Sequence, residues 1–195
     1  MGFLSQKASA TVNSSGGGGG YLTPSKLGDG DSMRFAILSE EPLEYFTVWG
    51  ETEDGQKKPF RFPSEPSPSD IKAELGEYNQ KMNFEGTALE KPKFAISFFV
   101  FDYGTEEVKV LELPQKGLCK ELDALSQSED YANLQEWDMT ISRSGMKLNT
   151  EYRLVPGPRR KGMQSNIDAA WSEAQEKGYD INQLLVGGSP FGESV

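Results

Sequence analysis

Lys93-Phe-Ala-Ile-Ser-Phe-Phe-Val-Phe-Asp-Tyr103 carries apolar residues on both alternations toward its end. A half-exposed strand would place a polar residue at every second position, so this spacing predicts a central strand buried on both faces. Phe94, Ile96 and Phe98 are assigned to the core. Such a strand needs neighbours in its own sheet and layers above and below it. Downstream, Gly104 turns the chain into a strand over Val108–Leu113, and Pro114 opens a helix with Leu118, Leu122 and Leu125 on one face.

Upstream, Met33, Phe35 and Ile37 alternate with Arg34 and Ala36 in Ser32–Ser39, and Leu43–Trp49 reads as a second strand. Asp54-Gly55 tips a hairpin into Lys57–Phe62, where Pro59 argues for an edge position. After a Pro/Ser loop from Pro63 to Pro68, Ile71, Leu75, Tyr78 and Met82 recur at helical spacing. A closing hairpin is expected from Trp137–Arg143 and Thr150–Val155 across Ser144–Asn149. Its Trp137, Met139 and Ile141 face one way, and its Asp138, Thr140 and Ser142 the other. A final helix carries Ile167, Ala170, Trp171 and Ala174 and stops at Gly178. The pattern predicts a mainly β chain with accessory helices, arranged as an OB-like five-stranded antiparallel barrel with an extra hairpin. A different Greek-key sandwich is the structural rival.

Expected divisions are a flexible Gly-rich tail (1–24), the OB-like domain (25–160), a C-terminal helical segment (161–186) and a loose tail (187–195). Residues 16–20 are five consecutive glycines, which suit a mobile coil or a tether for the apolar tip Met1–Leu4.

Several chemistries lack their residues. The chain has no histidine and a single cysteine, Cys119, so the usual general base, the usual zinc ligands and an internal disulfide are missing. No phosphate-binding loop, nucleophile elbow or dinucleotide fingerprint is present. No catalysis, metal or cofactor is expected. Met-Gly-Phe-Leu-Ser-Gln resembles neither a secretory leader nor an acylation signal, and no apolar run reaches membrane-spanning length, so a cytoplasmic protein is expected.

Net charge is −10, yet Trp137–Lys161 holds six bases (Arg143, Lys147, Arg153, Arg159, Arg160, Lys161) against Asp138 and Glu151. An acidic protein repels polyanions, so any nucleic-acid binding must use locally concentrated cations. Bases stack on exposed rings while Lys and Arg meet phosphates, which suits a single strand of any sequence. Three groups of candidates follow: Tyr45, Trp49, Phe60 and Phe62 with Lys57, Lys58 and Arg61; Lys91, Lys93 and Tyr103; and Arg143, Lys147, Tyr152 and Arg153. Each has a plainer explanation. Phe60 and Phe62 share a face that suits core, Tyr45 and Trp49 fit core equally well, and the hairpin cations fit a solvated face. Concentration in so acidic a chain favours binding.

Three stretches resemble the OB-fold single-stranded DNA-binding (helix-destabilising) proteins of tailed phages. They are Leu27–Leu38, Phe94 through Leu113 with the following Pro-Gln-Lys-Gly-Leu-Cys-Lys-Glu-Leu, and Trp137–Gly145 with Thr150–Pro156. The likeness spans about residues 25–160 and rests on pattern rather than a diagnostic motif. It implies a protein that coats single-stranded DNA in phage replication, recombination and repair in the host cytoplasm. It also implies an acidic C-terminus that contacts the polymerase and helicase–primase, and it leaves room for a homo-oligomer. Here residues 173–195 hold four acids against Lys177, which is no dense acidic run. Phe191 and Glu193 are the expected partner contacts, and the missing zinc ligands place the chain with metal-free members. Tyr45, Trp49 and Tyr152 would stack on bases, and Lys57, Lys58, Arg61, Lys93, Arg143, Lys147 and Arg153 would meet phosphates. The alternative is an acidic OB-like module that holds a protein and no nucleic acid.

Overall fold

The computed structural model describes residues 19–192. The strands are β1 (Tyr21–Leu22), β2 (Ser32–Ile37), β3 (Leu43–Glu51), β4 (Lys57–Phe62), β5 (Asn79–Gln80), β6 (Lys93–Asp102), β7 (Glu107–Leu113), β8 (Trp137–Ser144) and β9 (Glu151–Pro158). The helices are α1 (Pro68–Leu75), α2 (Lys116–Ser126) and α3 (Gln164–Glu176), followed by a 3-10 segment, Ile181–Val186. With 34% strand and 27% helix the chain is mainly β with several helices.

β6 is the axis of the sheet, as its double-sided apolar sequence predicts: Ala95 through Asp102 are all buried. One edge pairs with β7 from Ile96↔Leu113 to Asp102↔Glu107. The other edge meets β3 at Lys93–Ser97 and β2 at Val100–Asp102. Residues 32–51 therefore run along β6 as one interrupted line. Where pairing lapses between the two strands, the Ser39 hydroxyl accepts the Phe99 N–H at 2.8 Å, so the buried amide keeps a partner.

β2 pairs onward with β8, and β8 with β9; β3 pairs onward with β4. β1 lies parallel to β7, which makes the sheet mixed. The expected barrel does not close. β6, not β4, takes the inner edge of β3, so the β3–β4 and β2–β8–β9 arms both leave one edge of β6 and end at β4 and β9, while the other edge runs through β7 to end at β1. Pro59 sits on the edge strand that the sequence assigned to it.

Layers cover both faces. On one side α2 buries Leu118 and Leu122 against Phe35, Ile37, Phe98, Val100, Met139 and Ile141. On the other, Ile167 of α3 and Leu184 pack on Ala36, Phe99, Phe101 and Val110. α1 sits under the β3–β4 hairpin through Ile71 and Leu75, meeting Val48 and Phe60. Its start is a capping box between Ser67 and Asp70, and Gly76 ends it at φ +56°. The expected helical stripe is thus cut short: Tyr78 packs edge-on against Phe60, and Met82 bridges to Leu89.

Both ends correct the expected divisions. Gly20 accepts the Val110 N–H and Tyr21–Leu22 joins the sheet, so the coil expected over 1–24 does not extend to them. Residues 1–18, with the apolar tip and most of the glycine run, lie outside the described residues, as do 193–195. The C-terminal tail is packed as far as it is described. Pro190 is buried and its carbonyl accepts the Asp180 N–H, and the Phe191 ring stands edge-on to Tyr21 (5.3 Å) and Tyr179 (5.4 Å). Aromatic burial there outweighs the entropy that the glycines 187 and 188 would gain by staying free. Among the described residues no helix is long and apolar enough to cross a membrane.

Candidate nucleic-acid interface

Alternation puts Arg34, Asp138, Thr140, Ser142, Arg153 and Val155 on one face of β2–β8–β9. The ladder sets Arg34 beside Thr140, Thr140 beside Val155 and Ser142 beside Arg153. This is the face that α3 covers over β6 and β7, but over β8 and β9 it lies open: Arg153 is exposed and Val155 is 48% exposed.

A buried carboxylate organises this face. Asp138 is 1% exposed and accepts the Arg34 guanidinium (Nε 2.9 Å, Nη2 2.7 Å), Arg159 Nη1 (2.8 Å), the Tyr103 hydroxyl (2.8 Å) and the Arg160 backbone N–H (3.0 Å). A carboxylate removed from water is tolerated only with such compensation. The guanidinium groups of Arg34 and Arg160 lie over the Tyr103 ring at 5.4 and 5.9 Å. Burial, and then the hydrogen bond to Asp138, push the Tyr103 hydroxyl above its ordinary range. Arg34 stays 41% exposed although tethered, whereas Arg159 is nearly enclosed and also bonds the Gln135 carbonyl. The face and its margin carry Arg34, Arg153, Arg159, Arg160 and Lys161 against Asp138 and Glu151, a local excess of positive charge in a chain of net −10.

The expected site residues divide. Arg153 is exposed on this face, and Lys147 is exposed at the tip of the same hairpin. Arg143 is corrected: it shares the parity of the core residues Met139 and Ile141, and its guanidinium donates to the Ser25 (3.1 Å) and Leu27 carbonyls, so it braces the turn before β2. Tyr152 is half-buried against the α2 side and does not stand on the cationic face. Tyr103 belongs to the cationic face and not with Lys91 and Lys93, but at 9% exposure it is a base for guanidinium groups and not itself a stacking ring.

The first group is corrected further. Tyr45 is fully buried, its hydroxyl bonded to Ser97 (2.7 Å) and Glu112 (2.8 Å); burial, then the Glu112 charge, raise its ionisation well above the ordinary value. Arg61 is bound to Glu112 at 3.0 Å with a side chain only 13% exposed. Burial opposes the Arg61 charge, yet Glu112 outweighs it and holds the guanidinium above its usual range. Phe60 is core, Phe62 packs beside it, and Lys58 lies over the Phe60 ring at 5.1 Å. Lys57 is exposed and 3.7 Å from Glu51; Lys93 is paired with Glu90; Lys91 is exposed. Around this end Lys57, Lys58, Lys81, Lys91 and Lys93 meet Glu51, Glu53, Asp54, Glu77, Glu85 and Glu90, so no cationic groove results. Trp49 lines a 1140 Å³ cleft between the β3–β4 hairpin and α3, with Tyr21, Tyr179 and Phe191. The cleft's Arg61 and Lys177 are each paired with a glutamate, and Glu106 and Glu107 outnumber the remaining Lys26, which makes it a poor host for phosphate. The two candidate groups lie at opposite ends of β6 by register, Lys93 at its start and the β8–β9 tip beyond its last residue. Phe191 is packed as described above, and Glu193 lies outside the described residues.

The sequence places Arg160 and Lys161 in its basic stretch but not among the expected contacts, and it does not single out Arg34. Arg34 was legible as the outward residue of an alternating strand, but nothing in the sequence ties it to Asp138, which lies more than a hundred residues away. Among the described residues no group of three or more His, Cys, Asp or Glu is placed to hold a metal ion. No family model, curated protein or solved structure matches the chain.

Proposed function

We propose that the protein binds single-stranded DNA with little sequence preference, along the open face of β2–β8–β9. The carrying observation is the arginine cluster there. Asp138 neutralises part of it but also fixes the Arg34 guanidinium and, through Tyr103, the ring under Arg160, so these two can meet phosphates at a smaller ordering cost, beside the exposed Arg153 and Lys161. The planes of Arg34 and Arg160, backed by Tyr103, offer bases a stacking surface in place of the expected rings. The resemblance to phage helix-destabilising proteins supports the same function, as a coat on DNA in replication, recombination and repair. The OB-like description belongs to this proposal as well. What supports it is the single line of chain from 32 to 51 that serves both halves of the sheet. Contacts with a polymerase or helicase–primase would fall to C-terminal residues such as Glu193, since Phe191 is engaged within the fold. No catalytic step is part of this reading.

Anisotropy of a labelled oligothymidylate of about one binding site in length tests it. Binding should weaken about tenfold or more in Arg34→Ala/Arg153→Ala, while Lys57→Ala/Lys58→Ala binds as the parent does, each lost charge-assisted contact contributing on the order of 1 kcal/mol. Equal losses in both variants would remove the face from consideration. The rival, an acidic protein-binding module, is favoured by the net charge and by the balanced charges around the cleft; it requires that no oligonucleotide bind at all.

A further inference from the structure

Two braced turns hold large apolar side chains in water. Between β5 and β6, residues 81–91 form a hairpin: Met82 bridges Leu89, the Glu90 N–H donates to the Lys81 carbonyl at 2.8 Å, and the Asn83 side chain accepts the Thr87 and Ala88 N–H groups at 3.0 and 3.3 Å. At its tip Phe84 is fully exposed, with Leu89 at 55% and Met82 at 44%. The second turn joins β8 and β9. Leu148 is fully exposed there and Met146 66% exposed, flanking Lys147, which adopts a left-handed φ of +54°. The Gly145 N–H donates to Asp29 at 2.8 Å and the Asn149 N–H to the Met146 carbonyl at 3.1 Å, so this tip too is held in shape.

Solvated loops rarely spend fixed geometry on presenting Phe and Leu to water, and a non-glycine residue in left-handed backbone adds a local cost to holding the second tip. The two tips also differ in charge. Glu85 follows Phe84 and is exposed; Lys147 precedes Leu148 and is exposed. A contact of like with like would set Glu85 against Glu85 or Lys147 against Lys147. A contact of unlike tips buries Phe84 on Leu148 and pairs Glu85 with Lys147.

We infer that the Phe84 hairpin of one molecule docks on the Met146–Leu148 tip of a second copy. The tips sit at the two ends of β6, whose ten residues span roughly 30 Å, so one molecule can use both at once. Made head to tail along successive copies, the contact builds an open row, whereas two molecules lying antiparallel would close both contacts in a two-fold dimer; growth beyond a dimer marks the row. The occupant of each tip is thus another copy of this chain, and the row grows with concentration.

Sedimentation velocity of the full chain tests this without any DNA. The parent should sediment faster as concentration rises, beyond the size of a dimer. Phe84→Ser and Leu148→Ser should each stay monomeric with unchanged melting temperatures. Mixed in equal amounts, the two variants should form dimers and nothing larger, because only one intact pair of tips remains. Glu85→Lys and Lys147→Glu should each weaken association and restore it when combined in one chain. A monomeric parent at every concentration, or Phe84→Ser still forming dimers by itself, overturns the inference. Affinity for an oligothymidylate of one site length should be the same in Phe84→Ser, Leu148→Ser and Glu85→Lys as in the parent, so loss of association and loss of DNA binding are told apart.

Discussion

Arg143 and Arg153 stand on one hairpin ten residues apart and do opposite work. The Arg143 guanidinium serves the carbonyls of Ser25 and Leu27 at the turn into β2. Arg143→Ala should lower stability by about 1–2 kcal/mol, the cost of stranding the partly buried Leu27 carbonyl. Urea denaturation would show it; an unchanged midpoint would mean that water replaces the side chain freely. Parity alone predicts this difference, since residues 137, 139, 141 and 143 share the core face, but basic charge drew Arg143 into the binding set at the sequence level. Tyr45 misled in the same way: an aromatic beside a tryptophan is as good a core residue as a stacking ring, and only the partners Ser97 and Glu112, fifty or more residues away, decide it. The buried tyrosines also set an alkaline limit. Tyr45 and Tyr103 ionise above their ordinary value of 10.0 in the folded protein, through burial first and then the nearby carboxylates. The unfolded chain therefore loses these protons earlier, and stability must fall as pH rises past about 10. Thermal melts between pH 8 and 11 should show a flat region and then a decline, and the decline should be shallower in Tyr103→Phe. A melting temperature that rises through this range would contradict the sign.

At the scale of elements, β6 was legible because a strand buried on both faces writes apolar residues at every position, and α2 and α3 because each buries a stripe. The hairpin of residues 81–91 was not legible. Its helical spacing of Ile71, Leu75, Tyr78 and Met82 continues past Gly76, and only the left-handed backbone there shows that the helix has stopped. The closing element at the C-terminus was hidden for a different reason. Gly187 and Gly188 advertise a free tail, but the αL glycine at 187 is the C-cap that turns the chain back toward the sheet. Pro190 and Phe191 then seal the region where β1 joins β7. Phe191→Ala should cost about 1–2 kcal/mol, less than a fully enclosed ring because Phe191 keeps part of its surface in water. The melting temperature should drop by several degrees, and proteolysis after Lys26 or Lys177 should quicken, since both flank the loosened contact. A variant as stable and as protease-resistant as the parent would restore the picture of a dangling tail.

For the whole molecule the governing fact is a net charge of −10 with a cluster of five of its twenty Lys and Arg residues on one face and its margin. Two electrostatic effects then compete when a polyanion approaches. The overall field repels it at long range, with a reach set by a Debye length of about 10 Å in 0.1 M salt. The arginine face attracts it at contact, and each phosphate neutralised on a single strand contributes about −0.7 to the slope of log affinity against log salt. Four exposed cations at Arg34, Arg153, Arg160 and Lys161 set a ceiling of roughly −3 on that slope. Below about 0.05 M salt the long-range repulsion reaches further as the Debye length grows, and it should bend the plot downward from the straight line that a basic protein gives. A duplex presents its phosphates at twice the axial density and cannot lay bases on Arg34 and Arg160, so it should meet the repulsion without the stacking and bind more weakly at every salt concentration. Oligothymidylate titrations from 0.02 to about 0.5 M salt, with a hairpin duplex of equal charge as competitor, measure both slope and curvature. A slope much steeper than the four cations allow would require a larger cationic surface than β2–β8–β9 provides, and a duplex that outcompetes the single strand would exclude this face as its site.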